Sequence, residues 1–227
     1  MESYNIVPQS AMKTAAVIPA YMEQDTIGDV IRKTKQYVDY VVVVDDGSID
    51  DTSLNSKDAD LVIRHPVNMN KGFAMITGIE AAIREGAENI ITIDADDQHD
   101  PSDIPRFLSA LDEADIVFGS RKLNSSMPPV LRFGNWFLST TTNILYGIKV
   151  SDTQSGYRAF TKEAYKKIKW KSKDYRVETE MIMNAAKNNL KYKELFISTR
   201  YLNAHKGTTV VDGVKIFTSL LVWKITR

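Results

Sequence analysis

The sequence contains no cysteine among its 227 residues. This absence excludes disulfide bonds, thiolate metal ligands and cysteine nucleophiles, and it fits a reducing compartment. There is no excess of one charge either, because Lys+Arg and Asp+Glu both number 29, so no overall field attracts the chain to nucleic acid. The lack of any uncharged apolar stretch of about 18 residues predicts no transmembrane helix, and the first residues lack the basic-then-apolar pattern of a leader peptide.

What is present is an alternation of short apolar runs with amphipathic helical patterns. The runs predicted to be strands are Thr14–Pro19, Tyr40–Val44, Asp60–Ile63, Asn89–Ile93 and Asp115–Phe118. Most of them are apolar throughout, which is typical of strands covered on both faces. Repeated β–α units of this kind predict a single α/β domain with a mostly parallel, doubly wound, Rossmann-like sheet, and the chain length suits one such domain.

The second half of the chain is predicted to complete this sheet. The expected elements are a helix over Leu131–Tyr146, a strand at Arg158–Phe160, a helix near Glu178–Asn188 and a strand near Leu195–Tyr201. Between the halves, the segment Lys122–Pro129 predicts a mobile loop. Ligands of doubly wound sheets bind at the carboxyl ends of the strands, and the polar clusters of this sequence fall at those ends.

The most informative cluster follows the fourth predicted strand. Asp94, Asp96 and Gln98 are spaced i, i+2 and i+4, which in extended backbone points the three side chains to one side. Such a set of oxygen atoms suits Mg²⁺, which completes its shell with water and substrate phosphates. The alternative is an acidic turn in which Asp100, before Pro101, caps the next helix, and this capping is compatible with the metal site.

Weaker clusters follow the first three strands. Tyr21 could stack on a base or ribose and Glu23 could accept hydrogen bonds from hydroxyl groups, although a plain strand-to-helix turn is the alternative. Asp46 could accept from a nucleobase or ribose, with ordinary Asp-Gly turn chemistry as the alternative. Lys71 and the helix start at Gly72 resemble a phosphate cradle but lack the spacing of a P-loop, so a simple helix start stays open.

Three arginines, Arg121, Arg132 and Arg158, lie in the second half of the chain. A guanidinium group matches the geometry of phosphate oxygens, so a set of arginines at one face suits phosphate recognition, while each alone fits a surface ion pair. The three histidines lack metal-ligand spacing and are interpreted as structural or peripheral: His65, His99 and His205.

Taken together and in this order, the clusters resemble family 2 glycosyltransferases, specifically the dolichyl-phosphate mannose synthase branch. The matching segments are IPAYMEQDTI, VVVVDDGSIDDT, NMNKGFAMITGIEAA, DADDQHDP, GSR and DTQSGYRAF, and they extend from about Val17 to Phe160. The sequence departs from the family pattern at Met22, where asparagine is usual, and at Asp97, where a small or apolar residue is common. The resemblance implies an A-type glycosyltransferase fold, a nucleotide-sugar donor, Mg²⁺ or Mn²⁺, and a polyprenyl-phosphate acceptor.

The resemblance also implies roles for particular residues. Those expected to bind the nucleotide-sugar are Pro19, Tyr21, Glu23, Asp46, Lys71, Asp94, Ala95 and Asp96. Those expected at the diphosphate-bound metal are Asp94, Asp96 and Gln98. Those expected at the acceptor phosphate or sugar are Arg121, Arg132, Ser155 and Arg158, and the expected catalytic residues are Asp96, Arg121 and Arg132.

The implied reaction is an inverting, metal-dependent transfer of a hexose, with mannose expected first and glucose second, from GDP-mannose or UDP-glucose to a polyprenyl phosphate. One alternative is a family 2 enzyme that uses a UDP-sugar and a glycan or protein hydroxyl, which would need a carboxylate base such as Asp152 or Glu178. A nucleotidyltransferase on a related sheet and a non-catalytic nucleotide-sugar-binding subunit are further alternatives.

A lipid acceptor raises the question of membrane contact. From Val210 to Ile225 the chain is apolar around most of a helical circumference, with Asp212, Lys215 and Ser219 on one narrow side. Such a helix could lie on a bilayer or on a small membrane subunit, or it could pack on the core as terminal helices often do. We therefore expect a nucleotide-binding half at 13–120, an acceptor half at 121–209 and an amphipathic helix at 210–227, in a protein peripheral to the cytoplasmic face of a membrane.

Overall fold

The computed structural model describes residues 14–122, 129–200 and 210–226 and shows one α/β domain built on a seven-stranded sheet. The strands are β1 (Thr14–Ala20), β2 (Tyr40–Asp45), β3 (Leu61–Arg64), β4 (Asn89–Thr92), β5 (Ile116–Arg121), β6 (Arg158–Thr161) and β7 (Tyr192–Ile197). The helices are α1 (Ile27–Thr34), α2 (Thr52–Asn55), α3 (Lys71–Arg84), α4 (Ile104–Leu111), α5 (Pro129–Tyr146), α6 (Lys162–Ile168), α7 (Val177–Lys187) and α8 (Val210–Thr226), with a 3₁₀ turn at Pro101–Asp103.

The strand order is β3-β2-β1-β4-β6-β5-β7. Among these described strands β6 alone is antiparallel, to both β4 and β5, and the other pairings are parallel. The predicted mostly parallel sheet is therefore confirmed. Because β1, β2, β4 and β5 all run in one direction, their carboxyl ends meet at one edge of the sheet, which is where the site residues predicted from the sequence lie.

The central strand β1 shows why the strands of this protein are apolar throughout. Every residue of β1 is buried. Ala15 and Val17 pack into the layer that contains α3, and Ala16 and Ile18 pack into the layer that contains α1 and α4. Since successive side chains of a strand point to opposite faces, a strand covered by helices on both sides needs apolar residues at every position.

Helix α3 lies especially close to the sheet at Gly78. A Cβ atom at this position would lie 2.5 Å from Cγ1 of Val17 and 3.0 Å from Cγ2 of Val44. Only glycine leaves room for this approach, because real Cβ contacts are longer. The close packing fixes the axis of α3 against β1 and β2, and so fixes its first residue, Lys71, at the carboxyl edge of the sheet.

Strand β7 differs from its prediction. The strand was expected near Leu195–Tyr201, but it spans Tyr192–Ile197 and pairs with β5 from Ile116↔Tyr192 to Arg121↔Ile197. Its bounds are set by the length of β5, and it lies at the edge of the sheet with most of its side chains partly exposed. The polar first half of such an edge strand gives no apolar signal in the sequence.

Other predictions can be compared directly with the structure. Asp100 caps the 3₁₀ turn as expected, because its carboxylate accepts a hydrogen bond from the backbone N–H of Ser102 at 3.0 Å. Residues 123–128 of the predicted loop and residues 201–209, which include His205, lie outside the described residues. Within the described ranges no helix is long and apolar enough to cross a membrane.

Candidate active site

The predicted nucleotide-binding residues of the first two β–α turns lie together at the carboxyl edge. Pro19 is near the end of β1, and Tyr21, with 46% of its surface exposed, follows it. The turn is held from the β2 side, because Ser48 Oγ accepts from the Met22 backbone N–H at 3.0 Å and Thr52 Oγ1 accepts from that of Glu23 at 2.8 Å. The exposed ring of Tyr21 is therefore presented by a turn that is fixed at both of its following residues.

The side chain of Asp46 is buried and contacts neighbouring groups of the protein. Its Oδ1 atom lies 2.7 Å from His65 Nδ1 and accepts from the backbone N–H of Met69 at 2.9 Å. The other ring nitrogen of His65 lies 3.1 Å from Thr77 Oγ1 on α3. In this arrangement Asp46 holds the loop between β3 and α3, which leads to Lys71, against β2.

Lys71 lies between two carboxylates, and this contact joins three elements. Its Nζ atom is 2.7 Å from Asp94 Oδ1, beyond the end of β4, and 2.8 Å from Glu178 Oε1, in the first turn of α7. Burial alone would lower the pKa of Lys71, but the charges of Asp94 and Glu178 raise it above its ordinary value. Lys71 is therefore an ammonium ion, and in this arrangement its direct partners are carboxylates.

Asp94 is also stabilised in its charged form. Burial would raise the pKa of its carboxyl group, but Lys71 and then His99 hold that pKa well below its usual range. His99 is buried, its Nε2 lies 3.5 Å from Asp94 Oδ2, and its ring lies 5.4 Å from the ring of Tyr157. Of the two roles predicted for His99, structural or peripheral, its burial beside Asp94 agrees with the structural one. Its position beside Asp94 depends on the turn after β4, which the spacing of the histidines in the sequence does not reveal.

Asp96 and Gln98 contact each other, but through a turn and not through the extended backbone that the prediction assumed, because β4 ends at Thr92 and Asp97 has a φ of 56°. Gln98 donates its backbone N–H to Asp96 Oδ1 at 3.1 Å and its side-chain amide to Asp96 Oδ2 at 2.8 Å. Burial, and then the neighbouring charge of Asp94, raise the pKa of Asp96 above its ordinary value. A carboxylate that is buried beside a second carboxylate would be stabilised by a nearby cation.

The donor set at this turn fits a hard divalent cation. It offers carboxylate oxygens from Asp94 and Asp96, and the amide oxygen of Gln98 if that group rotates by half a turn. In the described part of the chain there is no group of three or more His, Asp or Glu side chains that could hold a metal ion. Such an ion would therefore need further oxygens from water and from a bound phosphate, which is how Mg²⁺ binds in nucleotide sites.

Arg121 is held by a buried partner. Its Nε atom donates to Asp152 Oδ2 at 2.6 Å and its Nη2 atom to Asp152 Oδ1 at 3.1 Å. Burial would raise the pKa of Asp152, but Arg121 lowers it below its ordinary value. The bidentate pair fixes the guanidinium plane at the end of β5, while about a fifth of the Arg121 side chain stays exposed.

The other predicted acceptor residues do not share this position. Arg158 is 1% exposed, and its guanidinium group donates to the backbone carbonyls of Ser155, Glu178 and Thr153. It therefore faces the protein interior, and we propose a structural role for it in place of direct phosphate contact. Ser155 is buried with its Oγ near the backbone N–H of Tyr157, whereas Arg132 is exposed in the first turn of α5.

The backbone of Gly156 lies against Asp94 and Lys71, a contact that was not predicted from the sequence. A Cβ atom there would lie 2.6 Å from Asp94 Oδ1 and 2.8 Å from Lys71 Nζ. The backbone of the segment that contains Arg158 thus packs directly on the Asp94–Lys71 pair, and Thr92 Oγ1 donates to the Gly156 carbonyl at 2.8 Å. The Ser-Gly-Tyr sequence was a signal of close backbone approach, but it did not indicate which residues would be approached.

Comparison with known proteins gives a consistent result. The model of the family "Glycosyl transferase family 2" matches residues 15–169. A UDP-N-acetylglucosamine–dolichyl-phosphate N-acetylglucosaminyltransferase of Methanococcus voltae is 35% identical over 92% of this chain and 95% of its own length. An undecaprenyl-phosphate mannosyltransferase of Micrococcus luteus is 27% identical over 89% of this chain and 88% of its own.

A solved structure shows the same fold. Glucosyl-3-phosphoglycerate synthase from Mycobacterium tuberculosis, crystallised with Mn²⁺, UDP and phosphoglyceric acid, superposes with a TM-score of 0.72. The match covers 95% of this chain and 79% of that one at 17% identity. The A-type glycosyltransferase fold expected from the sequence is therefore confirmed.

Met22, in the turn after β1, has a strained backbone conformation. Met22 has a φ of 57°, in the left-handed region that asparagine adopts more readily than methionine. Because the Met22 side chain is exposed, Met22→Asn removes little packing, and we expect it to raise the free energy of unfolding by about 0.5–1 kcal/mol. Urea denaturation would show a higher midpoint with an unchanged slope.

The matched control is Gln24→Asn, two residues along the same exposed turn, where φ is not positive. This variant lacks the strain that asparagine relieves, so its midpoint should not rise. Equal midpoints for Met22→Asn and the parent protein would contradict the strain argument.

Proposed function

Because the chain belongs to glycosyl transferase family 2, we propose that it transfers a sugar from a nucleotide-sugar to the phosphate of a polyprenyl phosphate. It is a glycosyltransferase, and relatives matched over most of its length are named for transfer to dolichyl and undecaprenyl phosphates. We assign the nucleotide-sugar to the half at 13–120 and the acceptor to the half at 121–209.

The observation that carries the proposal is the state of the two carboxylates that could act as a general base. A hydroxyl acceptor has to lose a proton and needs such a base. Asp152 is buried in its bidentate pair with Arg121, and Glu178 is buried against Lys71. Each of these two carboxylates is paired with a cationic side chain. A lipid phosphate already carries an oxyanion and needs no base, so it suits this site better than a hydroxyl.

At the acceptor end, the protein has to position a phosphate and offset part of its charge. Arg121 is suited to this task because Asp152 fixes its guanidinium plane while part of the side chain remains accessible. Arg132 is exposed in the first turn of α5, and we propose that it contributes to this site. Attack of a phosphate oxygen opposite the leaving group inverts the anomeric carbon, so an α-linked donor gives a β-linked lipid-phosphate sugar.

At the donor end, Asp96 and Gln98 would hold Mg²⁺ or Mn²⁺, with Asp94 beside them. A divalent cation bound there would offset the charge that develops on the diphosphate leaving group. The side chains themselves keep the turn after β4 rigid, because Gln98 bonds to Asp96 and Asp94 is held by Lys71. The fold neighbour that was crystallised with Mn²⁺ and UDP supports this assignment.

The sequence alone placed mannose first and glucose second as the transferred sugar. We propose UDP-N-acetylglucosamine as the donor, because the relative that is 35% identical over nearly the whole chain is named for that donor. The relative named as a mannosyltransferase has a lower identity of 27%, so GDP-mannose is the competing donor.

We also propose that α5 and α8 place the protein on a membrane surface. One face of α8 packs on the domain, since Ile216, Leu220 and Trp223 form a buried cluster with Leu138 of α5. Elsewhere the two helices expose large apolar side chains, namely Val130, Phe133, Trp136, Ile144, Val211, Val214, Val222 and Ile225. Exposed apolar surface with aromatic residues, next to a site for a lipid phosphate, suits an interfacial location.

The metal assignment predicts that Asp96→Asn reduces sugar transfer by roughly a hundredfold, because the diphosphate loses much of its charge stabilisation. The rate would be measured with donor, polyprenyl phosphate and Mn²⁺. Asp97→Asn is the control, since the Asp97 carboxylate pairs with Lys33 on α1, and its rate should stay close to that of the parent protein. Near-normal transfer by Asp96→Asn would defeat the assignment.

The donor assignment predicts the outcome of a thermal-shift panel with Mn²⁺ and UDP-N-acetylglucosamine, UDP-glucose or GDP-mannose. UDP-N-acetylglucosamine should raise the melting temperature most, because at equal concentrations the ligand that binds most tightly stabilises the folded protein most. A ligand present at a hundred times its dissociation constant adds about 2.7 kcal/mol to the free energy of unfolding. UDP alone and GDP alone serve as controls that separate recognition of the base from recognition of the sugar. A larger shift with GDP-mannose would show that the donor is misassigned.

The membrane proposal predicts that the double variant Trp136→Ser/Ile225→Ser floats poorly with anionic liposomes, whereas the parent protein floats with them. Both side chains are more than half exposed, so the changes should leave the fold intact. The matched control is Ile49→Ser/Leu54→Ser, which alters two equally exposed apolar residues outside α5 and α8. Equal flotation of the two double variants would remove this proposal.

A further inference from the structure

Glu178 is a buried carboxylate to which the proposed transfer gives no direct role. Its side chain is 3% exposed, and Oε1 lies 2.8 Å from Lys71 Nζ. Neither Oε1 nor Oε2 has a partner with hydrogen-bond geometry in the described part of the chain, so the contact with Lys71 is an ion pair. A buried carboxylate with so few partners is costly unless its charge serves a purpose.

The charge of Glu178 changes how strongly Lys71 neutralises Asp94. One ammonium group is shared by two carboxylates at nearly equal distances, 2.7 Å and 2.8 Å. The charge of Glu178 also acts on the buried guanidinium of Arg158. With Asp96, three carboxylates then face two cations, Lys71 and Arg158, which leaves a net charge of about minus one near the turn after β4. If Glu178 were neutral, Lys71 would pair with Asp94 alone, and that net negative charge would be lost.

The backbone around Lys71 is also held from the α7 side. The backbone N–H of Gly72 donates to the Lys173 carbonyl at 2.7 Å, and Trp170 Nε1 donates to the Gly72 carbonyl at 2.9 Å. Glu180, one helical step from Glu178, accepts from the backbone N–H groups of the loop before α7, including that of Ser172 at 2.9 Å. The loop before α7 therefore holds the start of α3, Glu180 ties that loop to α7, and Glu178 adds a charge contact to Lys71.

The Asp94–Lys71 pair has little freedom to move away from Glu178. The backbone of Gly156 closes the space on one side, since even a Cβ atom there would lie within 3 Å of both charged groups. His99 lies on the other side of Asp94, 3.5 Å from Oδ2. The position of Lys71 between its two partners is therefore imposed by the packing of three elements.

We propose that Glu178 is a positioning residue of the donor site, which acts through Lys71 to keep Asp94 oriented and the turn after β4 negative enough to bind the cation of the donor diphosphate. This inference rests on the proposed function, because it assumes that a divalent cation and a diphosphate bind at Asp94 and Asp96. It assigns Glu178 no contact with the reacting atoms.

The test measures Mn²⁺ binding by electron paramagnetic resonance in the presence of UDP and without any acceptor. Glu178→Gln should weaken Mn²⁺ binding by about ten- to a hundredfold, as the loss of a residue that supports a metal ligand commonly does. Glu178→Asp keeps the charge and should recover most of the affinity. Glu194→Gln is the control, because it removes a partly buried carboxylate that contacts Ser120 and Ser151 and not Lys71.

A double-mutant cycle tests whether Glu178 acts through Lys71. In the Lys71→Met variant the shared ammonium is gone, so adding Glu178→Gln should weaken Mn²⁺ binding much less than Glu178→Gln does in the parent protein. Additive losses would overturn the proposal, and so would a Glu178→Asp variant that binds Mn²⁺ no better than Glu178→Gln. Unchanged Mn²⁺ binding by Glu178→Gln with a large fall in kcat would instead identify Glu178 as a general base, and would also overturn the proposal.

The binding assay separates this inference from the proposed function. If polyprenyl phosphate failed to accept sugar while Glu178→Gln still weakened Mn²⁺ binding, the acceptor assignment would be wrong and the role of Glu178 would stand. If transfer to polyprenyl phosphate occurred while Mn²⁺ binding was the same in all variants, the role of Glu178 would be wrong and the acceptor assignment would stand.

Discussion

The ammonium group of Lys71 lies between the partly buried carboxylate of Asp94 and the buried carboxylate of Glu178, and most of the site depends on this contact. It joins the first residue of α3 to the turn after β4 and to the first turn of α7. Gly78 allows α3 to pack closely on the sheet, and the backbone of Gly156 packs against Lys71 and Asp94. The packing of the domain therefore determines where the charges lie. The strand order brings these elements together at the carboxyl edge, where doubly wound sheets bind their ligands.

The two ends of the site are built on different principles. At the donor end, carboxylates are held close to one another and to a single cation, which leaves negative charge for a metal ion. At the proposed acceptor end, Asp152 fixes Arg121, which leaves a positively charged group where we propose that the phosphate binds. The segment from Asp152 to Arg158 links the ends, because Asp152 holds Arg121 while the backbone of Gly156 packs on Asp94 and Lys71.

Much of the fold could be predicted from the sequence, because strands buried on both faces produce uninterrupted apolar runs, as in β1 and β2. The polar start of the edge strand β7 could not, since a partly exposed strand lacks that signal. Within the site, the i, i+2, i+4 spacing predicted that Asp94, Asp96 and Gln98 lie together in extended backbone, but the chain forms a turn there. The partners of Lys71 were not visible, because Glu178 and Lys71 meet only through the packing of α7 on the start of α3. Arg158 was grouped with Arg121 because both are arginines near one edge, yet its burial became evident only in three dimensions.

The central claim is that a divalent cation binds between the donor diphosphate and the turn after β4. It is tested most directly by anomalous diffraction at the manganese edge from crystals grown with Mn²⁺ and UDP-N-acetylglucosamine. The account predicts one strong peak beside the carboxylate of Asp96, within coordination distance of Gln98 and of both phosphates of the nucleotide. A diphosphate bound elsewhere, with no anomalous peak beside Asp94 or Asp96, would contradict it.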